Sequence, residues 1–229
     1  YIDTNNKIQG LFGLVDSGSI LNLNIGISNI KGGNATAGIV GYLYNGSVIS
    51  NCTNNSNITA GFGGGIVGCS YFNNRIIDSS NFGNITGKNQ IGGIVGLCTE
   101  KGSIENCNNN GIIQGKMSIG GIAGMIDTEI NIINCQNSNN VTGEEKVGGI
   151  SGESSQGIFD KCRNAGIIKS DGTVGGILGQ LQKNGIIKNS TNSALVSGKG
   201  FNGGIVGFNN NSNVETSFNI GNIEGENNN

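Results

Sequence analysis

Six cysteines are the residues of this sequence whose chemistry depends most on their placement, because thiolates bind metals, attack electrophiles and form disulfides. They are Cys52, Cys69, Cys98, Cys107, Cys135 and Cys162. Structural zinc sites usually contain pairs of cysteines separated by two to four residues, and no pair here has that spacing. We therefore expect buried free thiols, with a disulfide between neighbouring repeats as the alternative.

Carboxylates are the second candidates, because glycosidases need two facing carboxyl groups roughly 5–9.5 Å apart. The acids considered are Glu100, Asp127, Glu129, Glu144, Glu145, Glu153, Asp160 and Asp171. Four of them, Glu100, Asp127, Glu129 and Glu153, approach one another if the chain coils with the period described below. Such an acidic patch would suit a weak cation site, whereas the alternative interpretation is ordinary solvated loop charge. No catalytic, cofactor-binding or metal-binding residue is assigned.

Histidine is absent from the 229 residues, which removes imidazole bases, Ser-His and Cys-His pairs and His-ligated metals. The net charge is −2 with 12% charged residues, so nucleic acid is not expected as a partner. No run of 18 apolar residues predicts membrane insertion. Residues 1–7 lack the features of a signal peptide, and we interpret residues 1–229 as a single domain within a larger protein.

A period of 27 or 28 residues organises the chain. The tetrapeptide Gly-Ile-x-Gly, or a close variant, begins at Gly10, Gly38, Gly65, Gly93, Gly121, Gly149, Gly176 and Gly204. Short Ile- and Val-rich segments separated by Gly, Asn and Ser predict strands rather than helices. In the fourth repeat these would be Ile91–Leu97, Ser103–Cys107 and Gly111–Gly115. The prediction is an all-β, right-handed parallel β-helix (β-solenoid) of about eight coils, with three short strands per coil.

Equivalent positions of such coils stack into columns. We expect the tetrapeptide Ile column, beginning with Leu11, to point inward, and the following position, which includes Ala123 and Ser151, to be partly buried. Two further inward columns contain Ile49 and Ile30. A column of cysteine and serine is followed two residues later by one that is always asparagine, from Asn54 to Asn219. Asparagine tolerates the left-handed conformation and can bond to its own loop or to the next coil, while the paired glycines suit corners.

The Gly-Ile-Val-Gly copies, each followed by an Asn-Cys or Asn-Ser segment and then by Gly83–Gly87 or a relative, resemble the GLUG repeat. The family is named for Gly-Leu-hydrophobic-Gly, and Gly10-Leu11-Phe12-Gly13 is the literal form. The resemblance covers almost the whole chain. It implies an extracellular or cell-surface location in an adhesin-like protein, and it carries no catalytic residues.

We therefore interpret the chain as a non-enzymatic, surface-displayed segment that acts as an adhesin stalk or binding surface for a protein or glycan. Two alternatives remain open. The first is a carbohydrate-active β-helix enzyme, which requires an acid cluster with neighbouring Lys or Arg. The second is a self-assembling filament subunit that associates end to end.

Overall fold

The computed structural model describes residues 2–3 and 8–225, and these residues form a β-solenoid of about eight turns that contains no helix. Every strand pairs in parallel with the equivalent strands of the adjacent coils. Ile85, for example, lies opposite Ile58 on one side and Ile113 on the other. The all-β parallel architecture is therefore confirmed, while its right-handed sense stays a prediction.

Five parallel sheets, named A to E here, run along the described part of the solenoid. Sheet A comprises Ile2–Asp3, Asn29–Lys31, Asn57–Ala60, Ile85–Gly87, Ile113–Gln114, Val141–Gly143, Ile168–Ser170, Val196–Gly198 and Ile223–Gly225. Sheet B comprises Thr36–Ala37, Gly63–Gly64, Asn89–Gly92, Met117–Gly120, Glu145–Gly148, Val174–Gly175 and Asn202–Gly203. Sheet C comprises Phe12–Asp16, Val40–Tyr44, Val67–Tyr71, Val95–Thr99, Ala123–Ile126, Ser151–Ser154, Leu178–Gln182 and Val206–Asn210. Sheet D comprises Ser19–Leu21, Val48–Ser50, Asn74–Ile77, Gly102–Glu105, Ile130–Ile133, Ile158–Asp160, Ile186–Lys188 and Asn213–Glu215. Sheet E comprises Asn24–Ile25, Thr53–Asn54, Ser80–Asn81, Asn108–Asn109, Gln136–Asn137, Arg163–Asn164, Thr191–Asn192 and Phe218–Asn219.

A complete coil thus has five short strands rather than the three predicted. The segment predicted as one strand, Ile91–Leu97, belongs to two, Asn89–Gly92 and Val95–Thr99, with a break at Gly93-Ile94. Gly93 has no side chain, and a Cβ there would lie 2.1 Å from the carbonyl oxygen of Gly121. The paired glycines therefore permit close packing of coils at this bend. A separate two-residue strand, Asn108–Asn109, accounts for the remaining difference.

A shared hydrogen-bond acceptor changes the direction of the side chains at the tetrapeptide. The carbonyl of Ile94 accepts from the N–H groups of both Ile66 (3.0 Å) and Val67 (2.9 Å). The register between coils stays one-to-one, with Val67 opposite Val95, but the chain bends here and strict alternation of faces is lost. In the second to seventh coils the position after the tetrapeptide Ile is consequently fully buried, with Ala123 and Ser151 both 0% exposed. The expectation of partial burial there was wrong.

The interior divides into two hydrophobic clusters that run along the solenoid. The larger contains the tetrapeptide Ile column and the Ile49 column, and the smaller contains the Ile30 column with residues of sheet B. Central members such as Ile122 are 0% exposed, which confirms the three inward columns. The end coils differ, because Leu11, Val214 and Ile223 are 51%, 42% and 48% exposed. These residues continue inward columns but lack a covering coil within the described residues.

Left-handed backbone occurs three residues before the asparagine column rather than within it. The column with positive φ comprises Asn22, Asn51, Asp78, Asn106, Asn134, Lys161, Asn189 and Thr216. It forms the corner between sheets D and E. Asn and Asp populate this conformation more readily than other non-glycine residues, which explains their predominance. The prediction of left-handed conformation for the Asn54 column was therefore placed at the wrong corner position.

Candidate functional site

The cysteine and serine column is buried and points its small polar groups at the backbone. The Sγ of Cys107 lies 3.3 Å from the carbonyl oxygen of Glu105, and the Oγ of Ser79 donates to the carbonyl of Ile77 at 2.8 Å. Burial raises the pKa of the Cys107 thiol well above its usual value and that of Cys162 to about 12. All six cysteines are buried free thiols in the structure. A thiolate is thereby strongly disfavoured at Cys107 and Cys162.

The asparagine column forms a continuous hydrogen-bonded ladder inside the solenoid. Asn109 donates through Nδ2 to the Oδ1 of Asn137 (2.8 Å), and Asn137 in turn donates through its own Nδ2 to the Oδ1 of Asn164 (2.8 Å). Each side chain also bonds to its own loop, as Asn137 Nδ2 does to the carbonyl of Asn139 at 2.7 Å. Both bonding modes expected from the sequence are confirmed. Because every donor points toward the following coil, the ladder is a structural element with a single direction.

The structure separates the acids that could have formed one patch. Glu100 and Glu129 line a depression of about 210 Å³ together with Lys101, whose Nζ lies 3.8 Å from a Glu129 carboxylate oxygen. Glu153 instead lies on the outer face of sheet C, paired with Lys146 at 3.0 Å and accepting from the Ser118 hydroxyl at 3.1 Å. No group of three or more acidic or cysteine side chains among residues 2–3 and 8–225 is arranged to hold a metal ion. Glu100 and Glu129 are exposed loop charges, whereas Glu153 is a largely buried strand residue paired with Lys146.

An aromatic cluster covers part of the outer face of sheet C in the second and third coils. The rings of Tyr44 and Tyr71 are stacked with centroids 5.2 Å apart and planes inclined by 13°, and Tyr42 contacts both. Cys69 is buried beside them, and its burial raises the pKa of its thiol to about 12. Tyr44 and Tyr71 stack on one another, and Phe72 lies beside both rings, so the cluster packs chiefly on itself. We assign it to cross-strand stabilisation.

A shallow polar depression on the outer face of sheet E is the best candidate for ligand contact. Its volume is about 410 Å³, and it is lined by Asn134, Gln136, Lys161, Arg163, Asn164, Ala165, Asn189, Thr191 and Ser193. A second depression, of about 290 Å³, shares Asn134, Gln136, Lys161 and Arg163 and extends the surface to Asn106 and Asn108. We call the combined surface the sheet E groove. It crosses four consecutive coils, and its lining is rich in amides and contains two cations.

Lys161 has a left-handed backbone, as Lys101, Lys146 and Lys183 do elsewhere in the chain. Lys161 has φ +57° at a corner where most other coils have Asn or Asp. The left-handed conformation costs roughly 1–2 kcal/mol for a residue without the local hydrogen bonds of Asn or Asp. Arg163 follows on the same outer surface, in a column where its neighbours are Gln136 and Thr191. The sixth coil therefore replaces two neutral positions with cations.

Sequence reasoning missed Lys161 and Arg163 because it weighed the net charge of the chain rather than charge within a column. The available signal was the register: both residues depart from columns that are otherwise almost entirely uncharged. The aromatic cluster was missed for a similar reason, since Tyr44 and Tyr71 are 27 residues apart and hence neighbours in adjacent coils.

Searches of family models, curated proteins and solved structures found no match to this chain. The resemblance to GLUG repeats therefore stays a prediction. Within the described residues, none of the secondary structure is a helix of the length and apolarity that a membrane crossing requires.

Proposed function

We propose that this chain is a non-enzymatic repeat segment of a GLUG-like extracellular or cell-surface protein, where it acts as a rigid stalk that carries a binding surface. The observation that supports this most directly is the unbroken register of the coils. Inward apolar columns and the asparagine ladder continue without interruption from coil to coil. A body of this kind, about 38 Å long at a strand spacing of about 4.8 Å, maintains a fixed distance between its ends.

The exposed polar faces support the binding role of the proposal. The sheet E groove presents amides, hydroxyls and two cations on a rigid backbone, so a ligand need not order the surface on binding. The acids are distributed among separate ion pairs and turns, including Lys116–Glu144 at 2.9 Å and Lys199–Asp171 at 2.8 Å. This distribution of acids is better explained by a surface that binds a polymer without cleaving it than by a glycosidase site, which needs two facing carboxylates.

Retention without turnover distinguishes this proposal from the enzyme alternative. The purified chain should bind immobilised glycans in an array while releasing neither reducing ends nor unsaturated products from polysaccharides in solution. Product formation that is abolished by Glu153→Gln or Glu129→Gln, with Glu145→Gln as the matched control, would overturn the non-enzymatic assignment.

Location is tested separately on the cells that produce the protein. External protease should remove the epitope recognised by an antibody against this chain while leaving a cytoplasmic marker intact. An epitope that becomes accessible only after lysis contradicts the surface assignment.

End-to-end association is a second candidate, supported by the exposed ends of the inward columns. Val214 and Ile223 would be covered by a further coil or by another copy. Val214→Thr with Ile223→Thr should abolish any concentration-dependent sedimentation of the chain. Phe218→Thr with Ile220→Thr removes apolar surface from the outer face of sheet E and should leave it unchanged. A monomer at every concentration contradicts self-association without affecting the stalk proposal.

A further inference from the structure

We propose that the sheet E groove binds an anionic polysaccharide, with Lys161 and Arg163 contacting a carboxylate or sulfate group. This inference rests on the proposed function as a binding surface and specifies the class of its ligand. Both side chains are exposed and line both depressions of the groove. They lie two residues apart on one coil, so a single anionic group can contact both.

Half of the twelve Lys and Arg residues in the described part of the chain are paired with an acid, and Lys161 and Arg163 belong to the other half. Arg75, Lys101, Lys116, Lys146, Lys188 and Lys199 each form an ion pair with an acid. Neither Lys161 nor Arg163 forms one with any residue in the described part of the chain. Asp160, next to Lys161, contacts Lys188 at 3.8 Å and accepts from Asn189 at 2.8 Å. An anion supplied from outside would relieve the repulsion between the two uncompensated cations.

The columns to which the two cations belong strengthen the argument. Lysine occupies a left-handed corner at which Asn134 and Asn189 stand in the coils on either side. Asparagine occupies this corner in five of the eight coils, so Lys161 adds a positive charge to a column that is otherwise neutral or acidic. Arg163 similarly stands between Gln136 and Thr191. Guanidinium and ammonium groups both form charge-assisted hydrogen bonds to carboxylates and sulfates.

The remaining lining favours a polysaccharide over other anionic polymers. Amide and hydroxyl side chains, among them Asn106, Asn108, Asn134, Gln136 and Thr191, can bond to the many hydroxyl groups of a sugar chain. The groove contains no row of apolar pockets for alternate side chains of an extended peptide. Two cations on a chain of net charge −2 are too few for nucleic acid. From the fourth to the seventh coil the groove is about 14 Å long, enough for a few sugar units.

The test uses titration calorimetry with oligogalacturonate, chondroitin sulfate oligosaccharide and fully methyl-esterified oligogalacturonate of similar length. The first two probes distinguish carboxylate from sulfate, and the third is neutral. The double variant Lys161→Asn with Arg163→Gln introduces the residues of the preceding coil, so its fold should be retained. We expect the wild-type chain to bind at least one anionic probe, and the variant to lose about tenfold or more in affinity. Binding should weaken as salt is raised.

Lys169→Gln with Lys183→Asn is the matched control, because it removes the same charge from exposed sites outside the groove and also replaces a left-handed lysine, at φ +54°. It should bind within about twofold of the wild type. The inference is overturned if neither anionic probe binds, if the neutral probe binds equally, or if both double variants lose the same affinity. Preferential binding of a polyglutamate peptide would overturn it in favour of a protein ligand. Binding of neutral glycans alone would leave the proposed function standing while rejecting this ligand class.

Discussion

Serine and cysteine share one buried column because both are small and both direct a polar hydrogen at a carbonyl of their own loop. Cys162 contacts the carbonyl oxygen of Asp160 at 3.7 Å, and Ser190 donates to that of Lys188 at 2.9 Å. Serine adds one bond, because its Oγ accepts the N–H of Cys162 at 3.1 Å. The two residues are therefore interchangeable in shape but not in ionisation.

Ionisation of Cys162 should make the folded state sensitive to alkali. The pKa of this thiol is about 12 in the folded protein against an ordinary value of 9.0. Below about pH 9 the thiol is protonated in both the folded and the unfolded chain, so the free energy of unfolding does not change through this group. Between about pH 9 and pH 12 the unfolded chain releases its proton first, and the free energy of unfolding falls by up to about 1.4 kcal/mol per pH unit. Urea unfolding of Cys162→Ser should show a shallower decline in the free energy of unfolding than the wild type over this range. Parallel declines would contradict the assignment, since the other cysteines are common to both proteins.

Asn137 should be far more sensitive to substitution than Asn219. Asn137→Asp removes the N–H groups that bond to Asn139 and Asn164 and places a charge in the interior. The expected loss in the free energy of unfolding is about 3 kcal/mol or more. Asn219→Asp, in the partly exposed terminal coil, is the matched control and should lose less than about 1 kcal/mol. Equal losses in urea unfolding would indicate that the ladder contributes little.

Among the elements, the bend between sheets B and C leaves no room for a side chain. Gly93→Ala would place a Cβ 2.1 Å from the carbonyl oxygen of Gly121 and 2.4 Å from the amide carbon of Asn109. Since both neighbours are fixed by ladders, we expect a loss of about 3 kcal/mol or more in the free energy of unfolding. Gly13→Ala meets nothing within 4 Å and should be close to neutral. Chemical denaturation of the two variants provides the comparison, and a stable Gly93→Ala protein would show that the bend can open.

The sequence predicts those features that follow directly from the repeat period, and it does not predict those that depend on how the coil bends. Columns such as Ile122 and Asn137 could be recognised because identical residues recur at a fixed period, and stacking follows directly from that period. The burial of Ser151 could not be predicted in this way. It results from the carbonyl of Ile177, which accepts hydrogen bonds from the N–H groups of both Ile150 and Ser151. The register does reveal that Lys161 and Arg163 are the cations of columns that are otherwise neutral or acidic. The sheet E groove itself could not be predicted, because the spacing of columns across the outer face is set only when the chain folds.

On the scale of the molecule, each coil contacts chiefly the coils beside it, so stability should accumulate through nearest-neighbour terms. Ile122→Asp in a central coil places a charge at a site that is 0% exposed, whereas Leu11→Asp does so at one that is 51% exposed. We expect a loss of several kcal/mol for the first and a clearly smaller one for the second. The midpoint of thermal or urea unfolding measures both. Equal shifts would argue against the solenoid.

The direction of the interstrand hydrogen bonds also determines how the molecule responds to tension. They run along the axis of the solenoid, so a pull on its two ends loads them one coil at a time rather than all together. Each coil that detaches converts a rise of about 4.8 Å into an extended chain of about 90 Å. Stretching a single molecule should therefore give a series of small, nearly equal rupture events, each lengthening the tether by about the same increment. Below the rupture force such a stalk keeps its length, and above it a surface protein built this way would lengthen under shear flow while its ligand stays attached.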